Sequence, residues 1–364
     1  MALSVFQKFS STVIDPPALM DASVPLELSG EAVRARLCIF TDHEGRERAL
    51  RPDLTLPVAI AETERLQNGG KGEQRYCYSA RAYRLPSTPG IPIEFTQIGA
   101  EQFGGPSTPA ADADLFALVA DAAKASGITT AKAKFGDLAI FPAFVDALEL
   151  DTSSAGALKR AFRQAGGIAA LLNAEQSAPQ TGLAARLADA SWDEAAATVR
   201  DVLGVSGIEP IGTRTLDEIV DGLMTKATNT NAGGIPKEAV RVLEEVLAVE
   251  AAPSSVTDQL SKIAKSAGLQ GVDTRLNALQ ERTDLIASAA PEFLASATFE
   301  TPFGRRFNYY DGFLFELFSD GAPETTPFAA GGRYDSLIEK LSGGSVSANG
   351  IGGVVRPDRM GDAA

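Results

Sequence analysis

Histidine is almost absent from this 364-residue sequence, which contains one copy, His43. The residue lies in the stretch FTDHEGRERALRPD, where Asp42, Glu44 and Gly45 predict a hairpin turn between two strands. A Ser-His-Asp triad or a histidine-ligated metal would depend on that one turn, and no G-x-S-x-G elbow accompanies it. The sequence therefore argues against hydrolase and metalloenzyme chemistry, and we expect no metal site.

Cysteine and long apolar segments are also scarce. The two cysteines, Cys38 and Cys77, lie in apolar strand-like runs, so neither a disulfide framework nor a zinc cluster is expected. The N-terminal stretch MALSVFQKFSSTVIDPP lacks a long apolar centre, and no apolar run reaches the roughly 18 residues needed to span a membrane. These absences predict a cytoplasmic protein with no membrane partner.

Basic residues are outnumbered by acidic ones. The 33 Lys and Arg residues against 47 Asp and Glu residues give a formal net charge of -14. Because nucleic-acid affinity comes mostly from cationic contacts to phosphates, this charge argues against a nucleic-acid partner. The sequence has no G-x-x-x-x-G-K-[ST] loop, and the glycines of GGKGEQRY lack the spacing to cradle phosphates. We expect no cofactor, and a small molecule or a protein as partner.

Short strands separated by polar turns dominate the first hundred residues. An amphipathic helix is predicted at 112–126, and the strand pattern resumes after Pro291. The predicted early strands are VPLEL, RARLCIF, RERALRP, RYCYSARAYRL and IEFTQIGAEQFG, with a helix at PVAIAETERL.

Residues 151–290 differ in composition from both flanking regions. They are rich in Ala, Leu, Glu and Lys, show helical periodicity and predict a helical insertion. Residues 1–150 and 291–364 would together form one core domain. The prediction is an α+β fold in which a mostly antiparallel sheet, flanked by helices, is built from both ends of the chain.

Two polar clusters lie in the first half of the predicted core domain. Asp53 and Thr55 follow Pro52, and on an extended segment the carboxylate and the hydroxyl would point the same way, as a ligand ammonium group requires. A strand-end turn is the alternative. In EFTQIGAEQFG, Gln97 and Glu101 share one face of a strand, and that face is either solvent-exposed or part of a polar pocket.

A third cluster lies in RRFNYYDGFLFEL, which contains Arg305, Arg306 and Glu316. The adjacent Tyr309 and Tyr310 would point to opposite faces of a strand, so that one packs in the core and the other closes over a ligand. Core packing of both tyrosines is the alternative.

A fourth cluster is FAAGGRYDSL, residues 328–337, which predicts a loop followed by a helix. Gly331 and Gly332 would let the backbone approach a ligand closely, and Tyr334 offers a ring and a hydroxyl. A plain loop-to-helix turn with a surface arginine is the alternative.

Taken together, these motifs resemble the catalytic domain of histidyl-tRNA synthetases, which has the class II synthetase fold. The resemblance covers residues 38–105 and 300–355 well and residues 110–145 weakly. It implies an antiparallel sheet flanked by helices, and a homodimer. The motifs that carry it are LRPDLTLPVA, EFTQIGAEQFG, NYYDGFLFE and AGGRYDSL.

The resemblance implies a histidine pocket. Asp53 and Thr55 would hold the α-amino group, and Arg305 matches an arginine that acts on the carboxylate. Tyr310 and Tyr334 would line the imidazole side. The implied histidine-binding set is Asp53, Thr55, Gln97, Glu101, Arg305, Tyr309, Tyr310, Gly331, Gly332 and Tyr334.

The ATP half of the synthetase pattern is degenerate. Arg84 matches the first nucleotide-binding arginine, but Pro86 and Ile93 stand where a glutamate and a second arginine are expected. Pro357 interrupts the third motif and leaves Arg356 and Arg359 out of register. The loop LPSTPGIPI offers no charge to a triphosphate, so adenylation is not expected.

Chain length points the same way. A synthetase would continue for roughly another hundred residues as an anticodon-binding domain, which this sequence lacks. A histidine pocket without ATP and tRNA sites resembles the regulatory subunits of ATP phosphoribosyltransferase. That resemblance implies a non-catalytic chain, a hetero-octamer of four such subunits with four short-form catalytic subunits, and histidine as inhibitory effector of the first step of histidine biosynthesis.

Two other functions remain open from the sequence. A truncated synthetase-like enzyme would still activate histidine or another amino acid with ATP, and residual adenylation would reveal it. A stand-alone sensor would bind histidine or a nucleotide and act on a different protein.

Overall fold

The protein divides into two compact units in the computed structural model. One unit comprises residues 1–143 and 245–364, and the other comprises residues 144–244. The structure describes residues 1–10, 12–86, 90–164, 166–171, 192–206, 235–304, 309–323 and 325–360.

Twelve strands in the described ranges form a large sheet and a small one. The large sheet has the order β1-β5-β6-β12-β11-β10-β7-β9-β8 and the small one has the order β2-β4-β3, with these bounds: β1 Thr12–Val13, β2 Leu19–Asp21, β3 Ile39–Thr41, β4 Glu47–Leu50, β5 Gln74–Tyr83, β6 Glu94–Phe103, β7 Lys132–Asp137, β8 Glu250–Ala251, β9 Ala297–Glu300, β10 Phe313–Phe318, β11 Ala329–Arg333 and β12 Gly350–Val355.

The large sheet is mostly antiparallel, as predicted; only the pairs β1–β5 and β7–β9 are parallel among its described strands. Strands from the two ends of the chain meet at its centre, where β12 pairs with β6 on one side and with β11 on the other. In this register Gly352 lies opposite both Glu101 and Gly332. The polar clusters that contain Glu101 and Gly332 are therefore neighbours in space, on either side of β12.

Helices cover the sheet or belong to the second unit. Helix α4 packs on β11 and β12, and α10 packs along α4. The helices of the described ranges are α1 Ala2–Phe9, α2 Ser23–Ser29, α3 Thr55–Gln67, α4 Pro109–Ala125, α5 Ile140–Ala147, α6 Thr152–Phe162, α7 Trp192–Ser206, α8 Lys237–Leu247, α9 Pro253–Ser266, α10 Asp273–Ala289, α11 Pro291–Leu294 and α12 Leu337–Leu341.

The unit boundaries differ from the predicted insertion at 151–290. Residues 245–290 belong to the unit that holds the sheet, and a buried ion-pair network explains why. Arg282 on α10 donates to Asp112 on α4 (2.8 Å) and to Asp137 on β7 (2.9 Å). Arg333 on β11 donates to Asp112 at 2.7 Å, so this arginine is buried and is not a surface residue.

Two early strand predictions were wrong in whole or in part. The segment VPLEL lies in α2, which begins after Asp21 accepts a hydrogen bond from the backbone N–H of Ser23 and ends at Gly30, whose φ is 75°. Most of RARLCIF lies in a 3₁₀ helix, Glu31–Arg36, and in the connection after it, and only its last residues reach β3. Five-residue and seven-residue patterns are too short to separate helix from strand.

The predicted FAAGGRYDSL loop is a central strand, β11, followed by the short helix α12. Its glycines serve close packing inside the sheet. A Cβ on Gly331 would lie 2.7 Å from Cζ of Phe315, and one on Gly332 would lie 2.6 Å from the backbone oxygen of Phe313. The backbone at Gly331 and Gly332 therefore lies close to a neighbouring strand, and not close to a ligand as predicted.

Candidate functional site

A cavity of about 60 Å³ lies over the central strands, and we call it the central cavity. A larger groove of about 650 Å³ lies near α2, but it is open and bordered by exposed ion pairs such as Arg34 with Glu47. The central cavity is the candidate site because it gathers side chains from four of the predicted motifs. The predicted residues that line it are Asp53, Thr55, Arg84, Gln97, Tyr309, Tyr310 and Glu316.

Glu101 lies beneath the floor of the central cavity and is fully buried on β6. Its Oε1 accepts hydrogen bonds from the hydroxyls of Thr55 (2.8 Å) and Tyr78 (2.7 Å), and its Oε2 accepts one from Tyr334. Burial raises the pKa of Glu101 to about 7, against the opposing effect of these three hydroxyls. The carboxyl group can therefore change charge near neutral pH.

Tyr78 is a site residue that the motifs did not predict. This residue lies on β5 opposite Gly99, one alternation away from Glu101 on the adjacent strand. A Cβ on Gly99 would lie 2.9 Å from the Tyr78 hydroxyl oxygen, so the glycine makes room for the tyrosine. The pairing of a tyrosine opposite a glycine in β5 and β6 is the signal that could have identified it.

Asp53 and Thr55 do not lie on an extended segment. Asp53 occupies a bend, and Thr55 begins α3. Oδ1 of Asp53 accepts a hydrogen bond from the backbone N–H of Leu56 at 3.0 Å, so the carboxylate satisfies a donor in the first turn of the helix. The hydroxyl of Thr55 donates to Glu101, and both Asp53 and Thr55 line the central cavity although neither lies on a strand.

Asp53 is buried and faces two other lining residues of the cavity. The hydroxyl of Tyr309 lies 3.5 Å from Oδ2 of Asp53, and Nη2 of Arg84 lies 3.9 Å from the same oxygen. Burial raises the pKa of Asp53, and the charge of Arg84 opposes this shift. A cation that entered the cavity would stabilise the ionised form of this carboxyl group.

The face that carries Gln97 and Glu101 is buried, so the polar-pocket alternative is correct. Only 5% of Gln97 is exposed, and its Oε1 accepts a hydrogen bond of 3.0 Å from the backbone N–H of Leu54. This bond joins β6 to the start of α3. The amide NH₂ group of Gln97 remains as a donor that can serve a ligand.

Tyr309 and Tyr310 precede β10, and they do not alternate across a strand as predicted. Both are buried, and their ring centroids are 4.7 Å apart. The ring of Tyr334 lies 6.0 Å from each of them. The three rings form one aromatic cluster, in which Tyr309 and Tyr310 line the central cavity, whereas Tyr334 is fully buried and does not line it.

The glycines at the cavity are not the predicted pair. Gly352 and Gly353 on β12 line it, whereas Gly331 and Gly332 do not appear in its lining. A Cβ on Gly352 would lie 1.5 Å from Oε2 of Glu101 and 2.6 Å from the Tyr334 hydroxyl oxygen. The repeated glycines of GIGGVV were the available signal for this close approach.

The remaining predicted residues are arginines. Arg305, together with Arg306 of the same motif, lies outside the described residues. Arg84 borders the cavity and donates from Nε to the backbone oxygen of Pro52 at 2.7 Å. Arg356 and Arg359, which the synthetase pattern places out of register, also line the cavity.

Within the described ranges, no group of three or more His, Cys, Asp or Glu side chains is placed to hold a metal ion. Across the same part of the chain, no helix has both the length and the apolar character needed to cross a membrane.

Comparisons with known proteins agree on one family. The sequence model described as Histidyl-tRNA synthetase matches residues 2–208 and 195–357. An ATP phosphoribosyltransferase regulatory subunit of Allorhizobium ampelinum is 30% identical over 340 residues, covering 90% of this chain and 87% of that protein. The subunit of the same name from Chelativorans sp. is 28% identical over 368 residues, covering 98% of this chain and 95% of that protein.

Solved structures show the same fold at lower identity. An ATP phosphoribosyltransferase regulatory subunit/histidyl-tRNA synthetase from Bacillus halodurans superposes with a TM-score of 0.64 at 19% identity, covering 100% of this chain and 76% of that one. Histidyl-tRNA synthetase from Nostoc sp. gives 0.59 at 16% identity, covering 99% and 68%. These two likenesses show the class II synthetase-like fold alone. The sequence matches show that the chain belongs to the histidyl-tRNA synthetase-like family of ATP phosphoribosyltransferase regulatory subunits.

Proposed function

We propose that this chain is a non-catalytic regulatory subunit of ATP phosphoribosyltransferase that binds histidine in the central cavity and transmits feedback to the first step of histidine biosynthesis. The observation that carries the proposal is the match to regulatory subunits over 87% to 95% of their own length. The cavity adds support, because acidic, amide and aromatic groups converge in it.

Histidine offers a group for each part of the cavity. Its ammonium group suits the buried carboxylate of Asp53, which a cation would stabilise in the ionised form. Its imidazole suits the tyrosine cluster, where a ring can stack on aromatic faces while its nitrogens reach hydroxyl groups. Glu101 acts from beneath by holding Thr55 and Tyr334 in place.

The size of the cavity connects binding to regulation. Its volume of about 60 Å³ is well below the roughly 300 Å³ of typical ligand pockets. Histidine therefore requires the cavity to widen, and the packed Tyr309 and Tyr310 are the side chains whose movement would widen it. A ligand with different affinity for the wide and narrow forms shifts their populations, and that difference is what an allosteric effector needs.

The proposal extends to assembly and location. This chain would form a homodimer and join short-form catalytic subunits of ATP phosphoribosyltransferase, four of each, in a cytoplasmic hetero-octamer. The names of its relatives support the partnership with a catalytic subunit. The net charge of -14 supports a protein partner over a nucleic acid.

Calorimetric titration of histidine into the purified chain tests the binding site. We expect wild-type binding and a loss of about tenfold or more in affinity for Glu101→Ala and Tyr334→Phe, because both variants release the hydroxyl network beneath the cavity. Tyr76→Phe is the matched control, since its hydroxyl donates to buried Glu62 at 2.8 Å in a separate network. Unchanged histidine affinity in both test variants would show that histidine does not bind in the central cavity.

Histidine-dependent exchange between ATP and pyrophosphate tests the alternative of a synthetase-like enzyme. We expect no exchange above background, because Pro86 and Ile93 place no charge where a triphosphate would lie. A histidine-dependent rate would instead favour an amino-acid-activating enzyme.

A further inference from the structure

Three arginine side chains line the central cavity. Arg84 follows the end of β5, Arg356 follows the end of β12, and Arg359 ends a short 3₁₀ helix, Pro357–Arg359. The arginines come from segments about 270 residues apart in sequence. The proposed function uses neither Arg356 nor Arg359.

The side chain of Arg356 is buried, but one of its hydrogen-bond donors has no acceptor among the described residues. Only 9% of the residue is exposed, and its guanidinium lies 3.7 Å from the centroid of the Phe95 ring. Nη2 donates to Asp358 at 2.8 Å, whereas the buried Nε has no hydrogen-bond partner among the described residues. Buried donors are paired in the great majority of native structures, so this N–H indicates a missing acceptor.

The guanidinium groups of Arg359 and Arg84 are also held by hydrogen bonds to backbone oxygens. Nη1 of Arg359 donates to the backbone oxygen of Pro327 at 3.0 Å, and Arg84 donates to that of Pro52. Burial and the neighbouring charge of Arg356 lower the pKa of Arg359 to about 10. Burial also lowers the pKa of Arg356, with a further contribution from Arg84. The three cations therefore repel one another at close range.

Two carboxylates contact the arginine cluster. Asp358 pairs with Arg356 at 2.8 Å, and Oδ2 of Asp53 lies 3.9 Å from Nη2 of Arg84. Glu316 lines the cavity as the remaining acidic group. Within the described ranges, neither Asp53 nor Asp358 forms an ion pair with Arg359, although the charges of Asp358 and Glu316 partly offset those of the arginines.

We propose that Arg356 and Arg359, with Arg84, form an oxyanion subsite that receives the carboxylate of an amino acid bound in the central cavity. The planar guanidinium matches the geometry of a carboxylate and can donate two parallel hydrogen bonds to it. The cavity then offers the carboxylate of Asp53 to the ammonium group and the arginines to the carboxylate. A zwitterion can contact both kinds of group at once.

The oxyanion in this subsite could be the carboxylate of histidine or a free phosphate ion. The first identity rests on the proposed function, whereas the second does not require histidine to bind. Histidine, histamine and inorganic phosphate are therefore the three probes, because histamine lacks the carboxylate and phosphate lacks the rest of the amino acid.

The experiment is calorimetric titration of these probes into wild type, Arg356→Gln, Arg359→Gln and the control Arg81→Gln. Arg81 is exposed and forms an ion pair with Glu94 at 3.3 Å, away from the central cavity lining. We expect histidine affinity to fall by about tenfold or more in both test variants. Histamine affinity should be weaker in wild type and equal in all four proteins. Circular dichroism checks that each variant folds. Arg359→Lys keeps the positive charge but loses the planar guanidinium, so we expect an intermediate loss of histidine affinity.

Each outcome decides one part. Histidine affinity equal to wild type in both test variants, together with no effect of phosphate on any protein, overturns the subsite. Phosphate binding that wild type shows and both variants lose supports the subsite with a free oxyanion as its ligand. If wild type binds phosphate but no histidine, the proposed function fails and the subsite stands.

Discussion

The hydroxyl of Tyr78 lies 2.7 Å from Oε1 of Glu101, a carboxyl oxygen that is fully buried between β6 and the neighbouring strands. Thr55 donates to the same oxygen, and Tyr334 donates to the other. Strand β5, helix α3 and the segment after β11 thus meet at one titratable group. A change in the charge or position of Glu101 therefore alters the hydrogen bonds of Thr55, Tyr78 and Tyr334 together.

The stability of the protein should depend on the ionisation of Glu101. Its pKa is raised from an ordinary 4.5 to about 7 in the folded chain, so its contribution to stability is present below pH 4.5 and is lost as pH rises through 7. The difference corresponds to about 3 kcal/mol. Urea unfolding should show that, as pH rises from 4.5 to 7, the unfolding free energy of wild type falls by about this amount relative to that of Glu101→Gln. Above pH 8 the difference between the two proteins should stay constant. Parallel curves for the two proteins would show that the group keeps an ordinary pKa.

Gly352 should tolerate no side chain. Gly352→Ala places a methyl group 1.5 Å from the present position of Oε2 of Glu101, so the carboxyl group must move and break its bond with Tyr334. We expect a loss of about 2 to 4 kcal/mol in unfolding free energy and weaker histidine binding. Gly156→Ala on α6 is the control, because its Cβ would meet only the end of the Arg160 side chain at 3.1 Å. Equal stability of the two variants would contradict the packing argument.

Arg282 should be essential to the sheet unit. Arg282→Ala leaves Asp112 and Asp137 buried without their shared partner, so we expect a loss of about 3 to 5 kcal/mol by thermal or urea unfolding. Arg275→Ala on the exposed face of the same helix should change stability by at most about 0.5 kcal/mol. A small effect at Arg282 would mean that water or another cation compensates the two carboxylates.

Periodicity explains why part of this fold was predictable. Strand β6 alternates between buried and more exposed residues in its first half, and α4 repeats its apolar positions over 17 residues, so the types and approximate ranges of these elements follow from the sequence. The shared face of Gln97 and Glu101 follows from the same alternation.

Features that depend on register between distant strands were not predictable. Gly331 and Gly332 looked like a loop because sequence does not show that Phe315 and Gly352 fill the space beside them. The floor contact of Tyr78 exists only because β5 pairs with β6. The arginines after β12 looked misplaced along the synthetase pattern, yet the chain folds them back to the cavity that Arg84 borders.

The central claim is that this chain regulates ATP phosphoribosyltransferase in response to histidine. The most direct test mixes the purified chain with a short-form catalytic subunit from the same cell and measures phosphoribosyl-ATP formation with and without histidine. We expect the chain to raise the rate and histidine to lower the rate of the complex. A catalytic subunit whose rate is unchanged by this chain, at concentrations where both are folded, would contradict the account.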